Sequence, residues 1–247
     1  MMVPGIVVLV FLLLCVTGNS KRFPSYIKKC SQSDSNAKLC YIKAVNEIRD
    51  HFNSGIPEFG LPPMDPLVVP EISLDSNDSF KASFKNVKIY HLNELKIEDI
   101  SVNWNDNVVK IKLQLPHLRM TSDYSLQGKI LFLQLQGEGK ADGNFTDIEA
   151  DIKLQAQRYK KESKEYLKFV TMEINEKLHQ SVFRFEGLFK NNPELTEQTN
   201  KIINENIDDI LEELRPPIHS VISKTVLGLI SRLFEKFSTQ ELFLNSS

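Results

Sequence analysis

The period of apolar and polar positions changes several times along the chain, and each change predicts a different element. Ile6 to Val16 is apolar without a break. Tyr41, Ala44, Val45, Ile48 and Phe52 then recur at helical spacing, with Asp34 or Ser35 as a cap and Gly55 and Pro57 as the stop. From Gly55 to Pro70 five prolines interleave with apolar residues, which predicts an extended, ordered arm. From Phe80 to about Ile174 the period falls to two. Val109, Ile111, Leu113 and Leu115 alternate with Lys110, Lys112 and Gln114, and Ile148, Ala150, Ile152, Leu154 and Ala156 alternate with Glu149, Asp151, Lys153 and Gln155. Such strands have one buried and one wet face.

Apolar parity changes midway through Phe80–Ile89 and Leu95–Trp104, as a bulge or a crossing strand would require. Ile130 to Leu135 is apolar on both parities and predicts a strand covered on both faces. Turns are predicted at Asn105–Asn107 and from Gly137 to Gly143. Helical spacing returns after a cap at Asn192, with Pro193 and Glu194 in the first turn. The stripe of Ile203, Ile207, Ile210, Leu214, Ile218, Val221, Ile222, Leu229 and Leu233 passes Pro216-Pro217. A helix of roughly 60 Å over 193–234 is expected, kinked or split at the double proline.

These elements form an α+β protein in which a long, strongly curved antiparallel meander and an amphipathic helix bury their apolar faces on each other. The interior is elongated and the chain supplies fifteen Phe. A filled core and a tunnel are both compatible with that arrangement.

The first apolar run, followed by Thr17, Gly18 and Ser20, has the form of a secretory signal peptide over residues 1–20, ahead of one domain over 21–247. It is shorter than the roughly 20 residues of a membrane span, although no Lys or Arg precedes it and an uncleaved anchor is the rival reading. With Cys15 inside that segment, Cys30 and Cys40 remain as a pair and read as a disulfide in an exported chain. Closing that short loop stabilises the fold by roughly 3 kcal/mol. A metal site is the poorer alternative, because no third Cys and no His stands near. Asn77, Asn144 and Asn245 head glycosylation sequons, of which Asn77 and Asn144 are the candidate sites.

A formal charge of −2 and a pI near 6.2 provide no basic field for nucleic acid. No Gly-x-Ser-x-Gly or His-Glu-x-x-His motif occurs. The Gly137-Glu-Gly139-Lys-Ala-Asp-Gly143 stretch has Asp142 where a dinucleotide loop needs glycine. His51, His91, His117, His179 and His219 are scattered without carboxylate or Cys at ligand spacing. The reading is a non-enzyme with neither metal nor cofactor, and a hydrolase survives only through residues distant in sequence.

Cys30 to Cys40, together with Gly55-Ile-Pro-Glu-Phe-Gly-Leu-Pro-Pro-Met-Asp-Pro-Leu67, resembles the takeout/juvenile-hormone-binding family of insects. Leu115-Pro-His-Leu-Arg119 with Tyr124, Gly128, Gly137 and Gly139 is similar to the family's central strands. Phe185-Glu-Gly-Leu-Phe189, Asn200-Lys-Ile-Ile-Asn-Glu-Asn206, Leu214-Arg-Pro216 and Glu241-Leu-Phe243 resemble its last helix and tail. The resemblance implies a curved sheet wrapped around a long C-terminal helix, with an internal apolar tunnel. It also implies a small hydrophobic ligand such as a terpenoid hormone or fatty acid. Family members that carry juvenile hormone typically have a second disulfide, so this chain looks like the takeout branch.

Tyr124 and Trp104 each join an apolar body to one hydrogen-bonding tip, which suits recognition of a ligand's lone polar group or, equally, a packed core. Leu113, Leu115, Phe132, Leu133, Ile152 and Leu154 are the candidate tunnel wall. Three function classes follow. One is a secreted carrier. Another is a lipid-surface protein making transient membrane or receptor contact through the 55–70 arm or the Phe237–Leu244 tail. The third is a partner-binding scaffold with a filled interior.

Overall fold

The computed structural model describes residues 23–32, 36–76, 79–189 and 192–244. The signal-like segment, the caps expected at Asp34 or Ser35, and the sequons' Asn77 and Asn245 lie outside the described residues. Helix α1 (Ala37–Arg49) precedes six strands: β1 (Leu67–Ser76), β2 (Phe80–Tyr90), β3 (Lys96–Asn103), β4 (Val108–Ile130), β5 (Leu133–Lys161) and β6 (Lys164–Phe185). Helices α2 (Pro193–Glu205), α3 (Ile207–Phe234) and α4 (Thr239–Leu242) follow. The strands form one antiparallel sheet in the order β1-β2-β4-β5-β6. On the same side of β4 as β2, β3 pairs with Val108–Gln114 while β2 pairs with Arg119–Gly128.

Strands of 23 and 29 residues accumulate enough right-handed twist to bend the sheet into a half-barrel. Its core-facing residues are odd-numbered on β4 at Val109 and Ile111 and even-numbered from Met120 to Leu126. The change falls around Pro116, which has no N–H for the ladder and stands opposite Asp147, at φ 52°. Register shifts at Lys85/Lys88 and Ile97/Asp99 account for the parity changes expected in the two shorter strands.

Four expectations need correction. The sheet begins before Phe80, because β1 takes in Pro70, which an edge strand tolerates. It also runs past Ile174, to Phe185. Gly137 to Gly143 is the middle of β5, not a turn. Ile130 to Leu135 is not a doubly covered strand: Ile130 pairs with Leu133 across a two-residue turn. Finally, the long helix breaks at Asn206, with φ −120°, and runs unbroken through Pro216 and Pro217. Neither proline has an N–H to donate one turn back, to Glu212 or Glu213, and the helix tolerates this where both of those residues are exposed.

Helix α3 packs against both β6 and β1, the two edges of the sheet, and so lies across its concave side. A large apolar cluster around Phe80, Tyr124, Leu135, Phe185 and Leu214 fills one end. A second, of Leu154, Ala156, Leu167 and Phe169, meets Leu227, Ile230 and Phe234 of α3. Ile27, Ile56, Phe59, Phe237 and Leu242 form a third. The Pro-rich arm and the tail thus bury each other's anchors, while Val68 of the arm and Leu244 of the tail stay exposed. Cys30 and Cys40 are bonded, with their Cα atoms 5.8 Å apart.

Candidate functional site

Ladder pairs Ile111–Ile152, Leu113–Ala150 and Leu115–Ile148 place Leu113 and Leu115 of β4 beside the even-numbered face of β5. Leu115 and Leu154 are buried at 4% exposure, while Leu113 and Ile152 are half-buried. Four of the predicted wall residues (Leu113, Leu115, Ile152, Leu154) therefore share one stretch of sheet. Ala150 and Ala156 stand among them as small buried side chains. Across from the wall, α3 presents Ile218 and Val221 to the first cluster and Leu227, Ile230 and Phe234 to the second. Ile210 and Leu214 are buried, yet no residue from Ile218 to Phe234 is, although six of them pack against a cluster.

One charged cluster fastens this roof. Glu176 stands two residues beyond Ile174 on β6, opposite Ala150, with its side chain 14% exposed. It accepts from Arg215 Nη1 at 2.7 Å and meets His219 Nε2 at 2.6 Å, both on α3. Glu212 and Glu176 together hold the Arg215 guanidinium above its ordinary pKa, the hydrogen bond that Arg215 donates to Glu212 being the larger cause. The cluster ties the helix to the sheet edge beside the wall.

Tyr124 and Trp104 are not brought together. Tyr124 sits in the first cluster at 4% exposure, its ring edge-on to Phe185 at 5.1 Å. Its hydroxyl donates to the Glu186 carbonyl at 2.9 Å, and burial, then the Glu186 charge, pushes its pKa up to about 12. The chain at Glu186–Leu188 can cross here because β5 carries glycines beneath it. A Cβ on Gly139 would stand 2.0 Å from the Glu186 oxygen, and one on Gly137 2.9 Å from the Leu188 Cα. Trp104 lies at the other end of β4 and packs against the second cluster. It donates to Tyr41 Oη at 3.3 Å and meets Phe243 edge-on at 4.9 Å. Both residues thus spend their donors within the protein.

The other two candidates separate as well. Leu133 is buried in the first cluster, away from the four wall residues. Phe132 is not wall: the turn from Ile130 to Leu133 leaves it 62% exposed. Asn144 lies mid-strand in β5, its amide donating to Asp142 Oδ1 at 3.0 Å, within a polar groove that also involves Lys88, Lys140 and Arg184.

Sequence reasoning missed a pair of asparagines. On α2, Asn200 Oδ1 accepts from Phe185 N–H at 2.8 Å and its Nδ2 donates to Phe185 C=O at 2.8 Å. One turn on, Asn204 makes the same pair of bonds with Phe183, at 2.8 and 2.7 Å. The two amides satisfy the edge of β6 as another strand would. Their signal was available: asparagine four residues apart on an amphipathic helix, where its propensity is poor. Among the described residues, no group of three His, Cys, Asp or Glu could hold a metal ion, and no helix is long and apolar enough to cross a membrane.

A family model described as haemolymph juvenile hormone binding protein matches residues 8–244. The circadian clock-controlled protein daywake of Drosophila melanogaster is 23% identical over 240 residues, spanning 93% of this chain and 91% of that protein. Its Drosophila yakuba counterpart is 23% identical over 235 residues, 91% and 89% of the two chains. Among solved structures, Takeout 1 of Epiphyas postvittana superposes with a TM-score of 0.77 at 20% identity, covering 89% of this chain and all of the other.

Proposed function

The chain belongs to the haemolymph juvenile hormone binding protein family, and from that membership we propose that it is a secreted, non-enzymatic carrier of a small hydrophobic ligand. The ligand lies between α3 and the wall formed by Leu113, Leu115, Ile152 and Leu154. One observation carries this reading: the α3 side chains from Ile218 to Phe234 pack toward the sheet yet keep accessible surface, where Ile210 and Leu214 keep almost none. A filled core would bury both halves of the helix alike. Apolar walls with few free donors select by length and shape, as a terpenoid or fatty acid requires. The export-type leader and the disulfide support secretion.

Native mass spectrometry of protein purified from an insect-cell secretion tests the proposal. A retained lipid, released by organic solvent, is the expected result. Protein found only at its own mass, and failing to bind an added fluorescent fatty acid or terpenoid, overturns it.

A further inference from the structure

The β4–β5 hairpin turns on Leu131 and Phe132, and both are exposed, at 38% and 62%. Leu131 has φ 51°, a conformation for which such turns normally take Asn, Asp or Gly. The β5–β6 hairpin shows how the same problem is solved with ordinary chemistry. Its two turn residues, Glu162 and Ser163, have φ 49° and 63° and are polar, among Arg158, Lys160, Lys161, Lys164 and Glu165. The first turn shares that left-handed backbone and adds the costs of two apolar side chains in water.

Its surroundings say what relieves those costs. Between Tyr124 and Gly137 the only charged residue is Lys129. Immediately behind the turn, Ile130 and Leu133 are 2% and 9% exposed and join the first apolar cluster. Lys129 N–H bonds Ser79 C=O at 2.8 Å on one side, and Phe189 N–H bonds Gln136 C=O at 3.3 Å on the other. The tip runs two residues past the Ser79 contact, about 7 Å at the strand rise.

We infer that Leu131 and Phe132 insert into the surface of an anionic phospholipid bilayer. Two side chains are far too little for a protein partner, which needs about 800 Å² on each side. They suit shallow burial at the headgroup–acyl boundary, roughly 5–10 Å deep, with Lys129 at the level of the lipid phosphates. Between Tyr124 and Gly137 the two strands bring no carboxylate to that boundary, whereas the opposite hairpin carries Glu162 and Glu165. The contact does not depend on the carrier reading.

The test uses the whole mature chain and flotation with vesicles of equal parts phosphatidylcholine and phosphatidylserine. The wild type floats. Leu131→Asn combined with Phe132→Gly supplies a favoured turn sequence, so its thermal midpoint is unchanged or higher, while vesicle partition falls about ten-fold or more. Lys129→Gln lowers binding only when phosphatidylserine is present. Equal flotation of wild type and double variant, or no flotation of either, overturns the inference. So does a wild-type dimer lost in the variant, in sedimentation velocity, without vesicle binding. Fatty-acid titration in the absence of vesicles is unaffected by the double variant, so failure here and failure of the carrier reading are told apart.

Discussion

Replacing Tyr124 with Phe separates a ligand contact from a structural tie. The variant removes one hydroxyl and keeps the ring that meets Phe185 edge-on at 5.1 Å. What it loses is the 2.9 Å bond to the Glu186 carbonyl. A neutral bond of this kind is worth about 0.5–1.5 kcal/mol net, and up to about 3 if the carbonyl is left dry. The Glu186 residue is exposed, so water can reach the strand end and the lower range applies. About 1 kcal/mol lowers the midpoint of a protein of this size by about 2–4 °C. Alkaline pH provides a second readout. The hydroxyl's pKa is pushed from 10.0 up to about 12 in the folded protein, so the neutral form is favoured by folding. That contribution is complete below pH 10 and is lost as pH rises through 12, because only the unfolded chain ionises in between. Wild type should therefore lose stability over that window in excess of the Phe variant, by circular-dichroism melts at matched ionic strength. Fatty-acid affinity, measured on the same samples near neutral pH, should be equal for the two proteins. An unchanged midpoint with affinity lowered for ligands that carry a polar group, and not for those without one, would refute the reasoning and return Tyr124 to the ligand.

Gly139→Ala puts a carbon 2.0 Å from the Glu186 oxygen, so the crossing segment must move. A loss of about 3 kcal/mol or more in urea unfolding is expected, and an unchanged midpoint would show that the segment does not pass so close. Asn200→Leu leaves the Phe185 N–H and C=O without their partners on a buried edge, at a cost of about 2–4 kcal/mol, whereas a mild effect in the same assay would mean that α2 does not close β6. Leu227→Trp fills space beside the wall and should weaken fatty-acid binding about ten-fold, with little change in melting point if the interior is open and a clear fall if it is packed. Affinity of the wild type should barely respond to salt, since burial of apolar area drives it; a steep loss in high salt would point to charge-led recognition of the head group.

The elements that local periodicity specifies were legible in the sequence. Alternation over Val109–Leu115 and Ile148–Ala156 is strand, the Tyr41–Ile48 stripe is helix, and Asn192 caps α2 by accepting from Leu195 N–H at 2.9 Å. Each depends on residues within a few positions of one another, so no distant contact can easily reverse it. Alternation likewise puts Leu113 with Leu115, and Ile152 with Leu154, on one face of each strand, but only the β4–β5 ladder sets the two pairs side by side. Pairing and crossing are another matter. Leu131 and Phe132 read as the middle of an apolar strand until Ile130 pairs with Leu133 and throws them outward. Gly137 and Gly139 carry the local signature of a turn, but they serve the passage of Glu186–Leu188 over an unbroken strand. Tyr124 finds its acceptor 62 residues away, and Asn200 satisfies a strand edge that does not exist until the sheet is assembled. Side-chain pattern encodes what a segment prefers to be; which backbone groups remain to be satisfied, and which surfaces remain uncovered, is decided only when distant segments meet.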